Sequence, residues 1–201
     1  MSFFKKLFGN AEESSIDENQ LLANDLMPLN QILTIEEKFI AAFKNNGGKF
    51  IYCDDIEELK EQFLNILEEN DWFECESLCF EPKLYHILDE NKLTYNDIKN
   101  PKFLFSSCEN LIAEEGSVLF SSNQIKQTKP NDLPSNIIIF GTTNQIMDTK
   151  SDGLRDIKRK YNTQYPTNIT TIKYFEAAKE EDFLHYGSNP KNLYLLLLED
   201  K

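Results

Sequence analysis

Glycine is scarce in this chain, with seven in 201 residues. None of them falls in a Gly-x-Gly-x-x-Gly or Gly-x4-Gly-Lys pattern, so the usual backbone cradles for dinucleotides and nucleoside triphosphates are missing. Histidine is scarcer still, with only His86 and His185 present. His-Glu-x-x-His and Gly-x-Ser-x-Gly are both absent, which removes the zincin and α/β-hydrolase signatures. His185 stands near Phe183 and Tyr186 and reads as a satisfied, half-buried imidazole, His86 lies beside Tyr85 in a predicted helix, and neither has an evident nucleophile. Cations are outnumbered, 21 Lys and Arg against 34 Asp and Glu, and the net charge of −13 argues against a nucleic-acid backbone as partner. No run approaches the roughly 18 to 20 apolar residues of a membrane span. The start lacks the continuous apolar stretch and small-residue cleavage site of a signal peptide, so a cytoplasmic protein with no membrane span is expected.

Cysteine is limited to Cys53, Cys75, Cys79 and Cys108. A closed zinc or iron–sulfur site takes about four ligands. Cys75-x3-Cys79 is the only close pair and has no histidine nearby, so free buried thiols are expected, with no metal and no cofactor.

What the chain does contain is alternation of strand-like and helix-like segments. Phe3, Phe4, Leu7 and Phe8 surround Lys5 and Lys6 in the manner of a short amphipathic helix, and residues 10–30 run acidic and polar like a tether. Residues 1–30 thus read as an appendage and 31–201 as the domain. Thr34-Ile35-Glu36-Glu37 has the form of a capping box. Phe39, Ile40 and Phe43 share a helical face ended by Asn46-Gly47-Gly48, Lys49 to Cys53 reads as a strand, and Asp54 or Asp55 caps a helix striped by Ile56, Leu59, Phe63, Ile66 and Leu67. A second unit comes next, a strand at Glu76 to Phe80 and a helix starting near Pro82.

Strands at Lys102–Ser107, Ser117–Phe120 and Asn136–Phe140 come too close together for a long helix between the first two, which predicts mixed strand directions there. A helix over Asp152–Tyr161, with Leu154, Ile157 and Tyr161 inward, precedes strands at Asn168–Tyr174 and Asn192–Leu198. Leu193 to Leu198 is almost wholly apolar, as a strand covered on both faces must be. The class implied is a three-layer α/β domain with a mixed sheet.

The segment richest in chemistry is Leu111-Ile112-Ala113-Glu114-Glu115-Gly116-Ser117-Val118-Leu119-Phe120, where an acidic pair leads through a glycine into an apolar strand. Glu114 is the best catalytic candidate: a carboxylate at a strand mouth beside Gly116 lets a ligand approach closely, and partial burial would raise its pKa. The competing reading has Glu114 or Glu115 accepting backbone N–H bonds in a tight turn. Ser106 and Ser107 at one strand end, and Gly141, Thr142 and Thr143 at another, would complete a ligand crevice together with Glu115, Gly116 and Ser117, since ligands of open α/β sheets gather at strand ends. Helix caps and loop hydrogen bonds account for those hydroxyls equally well.

Ala113-Glu114-Glu115-Gly116-Ser117-Val118-Leu119, then Leu133-Pro134, then the Ile-rich strand, then Pro166-Thr167-Asn168-Ile169-Thr170, resembles the lactate-utilisation (LUD) domain family, in its C-subunit type. The likeness runs from about Glu36 to Glu199, with Glu115 standing where the family usually has threonine. It implies the fold shared by sugar-phosphate isomerases, CoA transferases and formyltetrahydrofolate cyclo-ligases, and Glu114-x-Gly116 is similar to the turn that carries the nucleophilic glutamate of CoA transferases. It also implies L-lactate utilisation, as a non-redox accessory subunit beside iron–sulfur subunits. The alternative is a small-molecule binder or enzyme that uses Glu114 in a cyclo-ligase- or transferase-like crevice.

Overall fold

The computed structural model describes residues 33–96, 99–175 and 191–200. The appendage expected over residues 1–30, His185 with its neighbours, and the acidic stretch after Phe175 lie outside them. The α/β unit starts at Ile35.

Local chemistry places most of its elements. Phe39, Ile40 and Phe43 form the buried stripe of α1 (Ile35–Asn45), and Gly47 at φ 84° turns the chain out of the helix. After β1 (Lys49–Cys53), the Asp55 carboxylate accepts the Glu58 amide at 2.9 Å and so starts α2 (Ile56–Asn70). A short β2 (Ser77–Leu78), a 3-10 turn at Pro82–Leu84 and α3 (Tyr85–Glu90) come after it. Next are β3 (Phe103–Ser107), β4 (Asn110–Ile112), β5 (Ser117–Ser121) and one turn of α4 (Ser122–Ile125), with Ser121 and Gln124 as its capping box. The chain continues through β6 (Asn136–Thr142), β7 (Ile146–Met147), α5 (Lys150–Tyr161), β8 (Ile169–Ile172) and β9 (Asn192–Leu198).

The strands form two sheets. The first has the order β1-β9-β6-β3-β2, and every neighbouring pair in it is parallel. Its central strands are the Ile- and Leu-rich β6 and β9, because only nearly uniform apolar strands satisfy a position covered on both faces. On one face, Leu59, Phe63 and Ile66 of α2 and Ile87 and Leu88 of α3 pack on Phe105, Ile138, Tyr194 and Leu196. The opposite face meets the second sheet, of order β7-β4-β5-β8: a Cβ on Gly141 would lie 3.3 Å from Leu195 and 3.5 Å from Leu111. Helix α5 covers the outer side of that second sheet by packing Ile157 on Ile112 and Leu119.

The mixed α/β class therefore holds, and the mixed pairing resides in the second sheet, where β4–β5 and β5–β8 are antiparallel and β4–β7 is parallel. β5 does not join β3 and β6. Residues Asn110–Ile112 form a strand of their own, turn back into β5 as a hairpin, and leave β3 to pair directly with β6. The expected strand over Glu76–Phe80 shrinks to two residues, with Glu76 bridging to Thr94. Leu154 is exposed rather than inward, because Gly153 and Ile157 occupy the face of α5 turned to the sheet.

Gly116 sits in the β4–β5 hairpin at φ +60°, and a Cβ there would come within 2.3 Å of the Ala42 carbonyl carbon in α1. The Asn46 side-chain amide reinforces this docking by donating to the Glu115 and Gly116 carbonyls at 2.7 and 3.1 Å. Gly116→Ala is therefore expected to cost about 2 to 4 kcal/mol, positive-φ strain added to overpacking against backbone that cannot yield. Urea unfolding of the two proteins measures the difference.

Candidate functional site

In a parallel sheet all carboxyl ends lie on one edge, and here three neighbouring strands deliver polar residues to it. β2 runs out into Phe80, Glu81 and Lys83, β3 ends at Ser107 and Cys108, and β6 ends at Phe140 and Thr142. These residues line a crevice of about 690 Å³, closed from the other side by Gln124 and Lys126 around α4, by Gln145, and by Lys160 and Tyr161 at the end of α5. Open α/β sheets bind ligands at this edge, and the volume suits a metabolite- or cofactor-sized molecule.

Two buried carboxylates organise the crevice. Glu81 accepts the Ser107 amide at 2.7 Å, the Ser107 hydroxyl at 2.6 Å and the Ser106 hydroxyl at 3.0 Å. The Lys83 ammonium lies 3.2 Å from the same carboxylate and donates to the Ser107 hydroxyl at 3.1 Å. Glu109, whose side chain has no exposed surface, is ion-paired with Lys160 at 2.9 Å. It also accepts Ser121 at 2.6 Å, Gln124 at 3.0 Å and the Tyr161 hydroxyl at 2.9 Å.

Burial by itself pushes the Glu109 carboxyl up, but the Ser121 hydroxyl, the Lys160 ammonium and the Gln124 amide together hold it below the usual carboxylate range. Burial likewise lowers Lys160, and its hydrogen bond and attraction to Glu109 reverse this and raise it. The two directions agree, and both describe one ion pair with its carboxylate inside and its ammonium facing the crevice. An unpaired buried carboxylate would cost several kcal/mol, whereas each charge-assisted hydrogen bond returns about 1.5 to 3 kcal/mol, so four donors keep Glu109 ionised.

The sequence-predicted residues divide between two places. Ser107 and Thr142 line the crevice. Ser106 is fully buried behind it and steadies Glu81. Gly141 is buried under it, 3.6 Å from the Cys108 sulfur at the position of a built Cβ. Thr143 accepts the Asp200 amide at 3.0 Å, fastening the chain after β9. Glu114, Glu115, Gly116 and Ser117 are not among the crevice-lining residues. β4 starts beside Glu109 and runs away from the crevice, so its hairpin turn lies at the far end, with Glu114 exposed and Ser117 donating to the Glu115 carboxylate at 3.3 Å. The strand mouth read for Glu114 is thus a hairpin turn docked on α1.

Sequence reasoning missed Glu81, Lys83, Glu109, Lys126 and Lys160. Phe80-Glu81-Pro82 carried one usable signal, an acid held extended by the proline after it at the end of a strand. All four cysteines are free. Burial pushes the Cys53 thiol up to about 12 and the Cys79 thiol up to about 11, and it pushes Cys108 up as well. Burial thus disfavours the thiolate form at each of these three positions. Among the described residues no helix is long and apolar enough to cross a membrane.

No family model and no curated protein matches the sequence. Among solved structures, the fold is similar to that of a DUF162 family protein from Deinococcus radiodurans, with a TM-score of 0.59 and 10% identity over 83% of this chain and 96% of that one. At that identity the likeness concerns the fold: both are α/β proteins of the same architecture.

Because the folded-state pKa of Glu109 is depressed, the stability it contributes is present above the unfolded carboxyl value and lost as pH falls through the folded one. Lys160→Met removes the counter-ion while leaving the carboxylate buried. The variant is expected to lose about 3 kcal/mol at neutral pH, and this deficit is expected to shrink as pH falls, because protonation relieves the unpaired buried carboxylate. Thermal melts between about pH 3 and 7 test both effects.

Proposed function

We propose that this chain is a LUD-type protein whose crevice binds a small anionic molecule. In this reading it serves L-lactate utilisation in the cytoplasm as a non-redox subunit beside iron–sulfur partners. One observation carries the ligand-binding half: a protein of net charge −13 lines this crevice with three lysines, Lys83, Lys126 and Lys160, against a single carboxylate, Glu81. With Lys83 paired to Glu81 and Lys160 to Glu109, Lys126 leaves an excess positive charge at that edge, which attracts anions.

The lactate half is supported by the resemblance over Ala113–Leu119 and Pro166–Thr170 and by the fold shared with a DUF162 protein, DUF162 being the LUD domain family. Four cysteines dispersed along the chain do not make a ferredoxin-type ligand set, so electrons from lactate would travel through partner subunits. Glu114 keeps a place in this proposal only as a residue of the docked turn. The turn's surface is then open to a partner, while the crevice takes the ligand.

Deleting the gene is expected to abolish growth on L-lactate as sole carbon source. Tagged protein from native cells is expected to bring down iron–sulfur subunits. Normal growth of the deletion strain on L-lactate would end the lactate assignment. Replacing the gene with Lys83→Glu, which reverses charge at the crevice, should fail to restore growth although the purified variant is folded.

Glu114→Gln should shift stability by less than about 0.5 kcal/mol, as exposed substitutions usually do, and should restore growth fully. Loss of growth with this variant, the melt being unchanged, would make Glu114 a reactive carboxylate.

A further inference from the structure

We infer that the crevice takes a phosphorylated small molecule, its phosphate held by Lys83, Lys126 and Lys160 and its body lying against Phe80, Phe140 and Tyr161. The inference rests on the reading of this crevice as the ligand site and names its ligand class.

The lysines arrive from three separate elements: the turn after β2, the residue that closes α4, and the last turn of α5. Two of them are built in. Lys83 is anchored on Glu81 and Lys160 on Glu109, carboxylates whose side chains are 9% and 0% exposed, so each ammonium is positioned before any ligand arrives. Several neighbouring polar groups are already used. Gln145 donates to the Cys108 and Glu109 carbonyls, Gln124 to Glu109, and Ser107 to Glu81. The charged donors that a ligand meets are therefore the three ammonium groups.

Lys126 supplies an independent observation. It makes no hydrogen bond or ion pair with another side chain among the described residues, and its backbone lies at φ 54° and ψ −132°, a region in which glycine sits without strain and lysine does not. Lys126 thus lines the crevice without a side-chain partner among the described residues, which leaves its ammonium available to a ligand.

The count of donors decides between anions. A carboxylate offers two oxygens, whereas a terminal phosphate offers three strong acceptors and up to two charges. Three lysines lining one crevice match the second. The crevice, at about 690 Å³, is also far larger than a lactate or a bare phosphate needs. Its aromatic walls give the rest of such a molecule an apolar face to lie on.

The experiment is calorimetric titration of the full-length protein with ADP and with inorganic pyrophosphate, beside L-lactate and pyruvate, at low and at about 0.15 M ionic strength. ADP and pyrophosphate are expected to bind, more weakly at the higher salt. Lys83→Ala and Lys126→Gly are each expected to bind them at least about tenfold more weakly. Lys126→Gly should also melt at no lower temperature than the parent, since it relieves backbone strain and removes no internal contact. That keeps loss of binding separate from loss of fold.

Equal binding of both phosphorylated probes by the parent and these variants overturns the inference. So does a parent that binds lactate or pyruvate in a Lys83-dependent way and neither phosphorylated probe, although the crevice then stands as an anion site. No binding of any of the four probes overturns the inference and the crevice reading together.

Discussion

The Glu109 carboxylate is the constraint on which the ligand edge depends. A carboxylate with no exposed surface stays ionised only if donors surround it, and its donors come from Ser121 at the end of β5, Gln124 in α4, and Lys160 and Tyr161 at the end of α5. One side chain thus binds the second sheet, the short helix after it and the long outer helix to the loop that leaves β3. Ile157 holds α5 on the second sheet by apolar packing, and this hub adds the polar link from the end of α5 and from α4 to the loop after β3.

The other wall is a consequence of topology. β2, β3 and β6 are consecutive in the first sheet and all parallel, so the residues after each strand must emerge on the same edge. That edge receives Glu81, Ser107 and Thr142 from stretches up to about 60 residues apart in sequence. Glu81 and Glu109 then repeat a single device on the two walls: a buried carboxylate satisfied by serine hydroxyls, with its lysine turned to the crevice. At the far end of the second sheet, Gly116 and Asn46 fasten the hairpin to α1 and fix the direction in which β4 runs.

Legibility in the sequence depended on the range of the signal. The stripes of α1 and α2, the Asp55 cap and the apolar β6 and β9 are local patterns and were legible. Ser107 and Thr142 were legible as strand ends. β4 was not, because three residues are too few to display a period of two, and missing it turned a hairpin into a strand mouth and gave Glu114 a site it does not line. Leu154 was misplaced by a similar narrowness: helical spacing marked an apolar residue, but close packing of Gly153 on Ile112 and Leu119 decided which face was inward. Lys160 could not be found at all, since its partner lies 51 residues away and no local pattern links them.

By itself, then, the sequence determined the α/β class, the helices and strands with their caps, the acidic surface, and which strand ends carry hydroxyls, all of which arise from propensity and periodicity within a few neighbouring residues. Only the tertiary structure decided that β5 leaves the first sheet, that the Glu-Glu-Gly turn docks on a helix instead of opening a site, and that Glu81 and Glu109 become buried anchors for lysines. Those outcomes depend on which surfaces meet when two sheets pack. Burial turns a carboxylate from a solvated surface group into one that must recruit its donors from wherever the fold brings them.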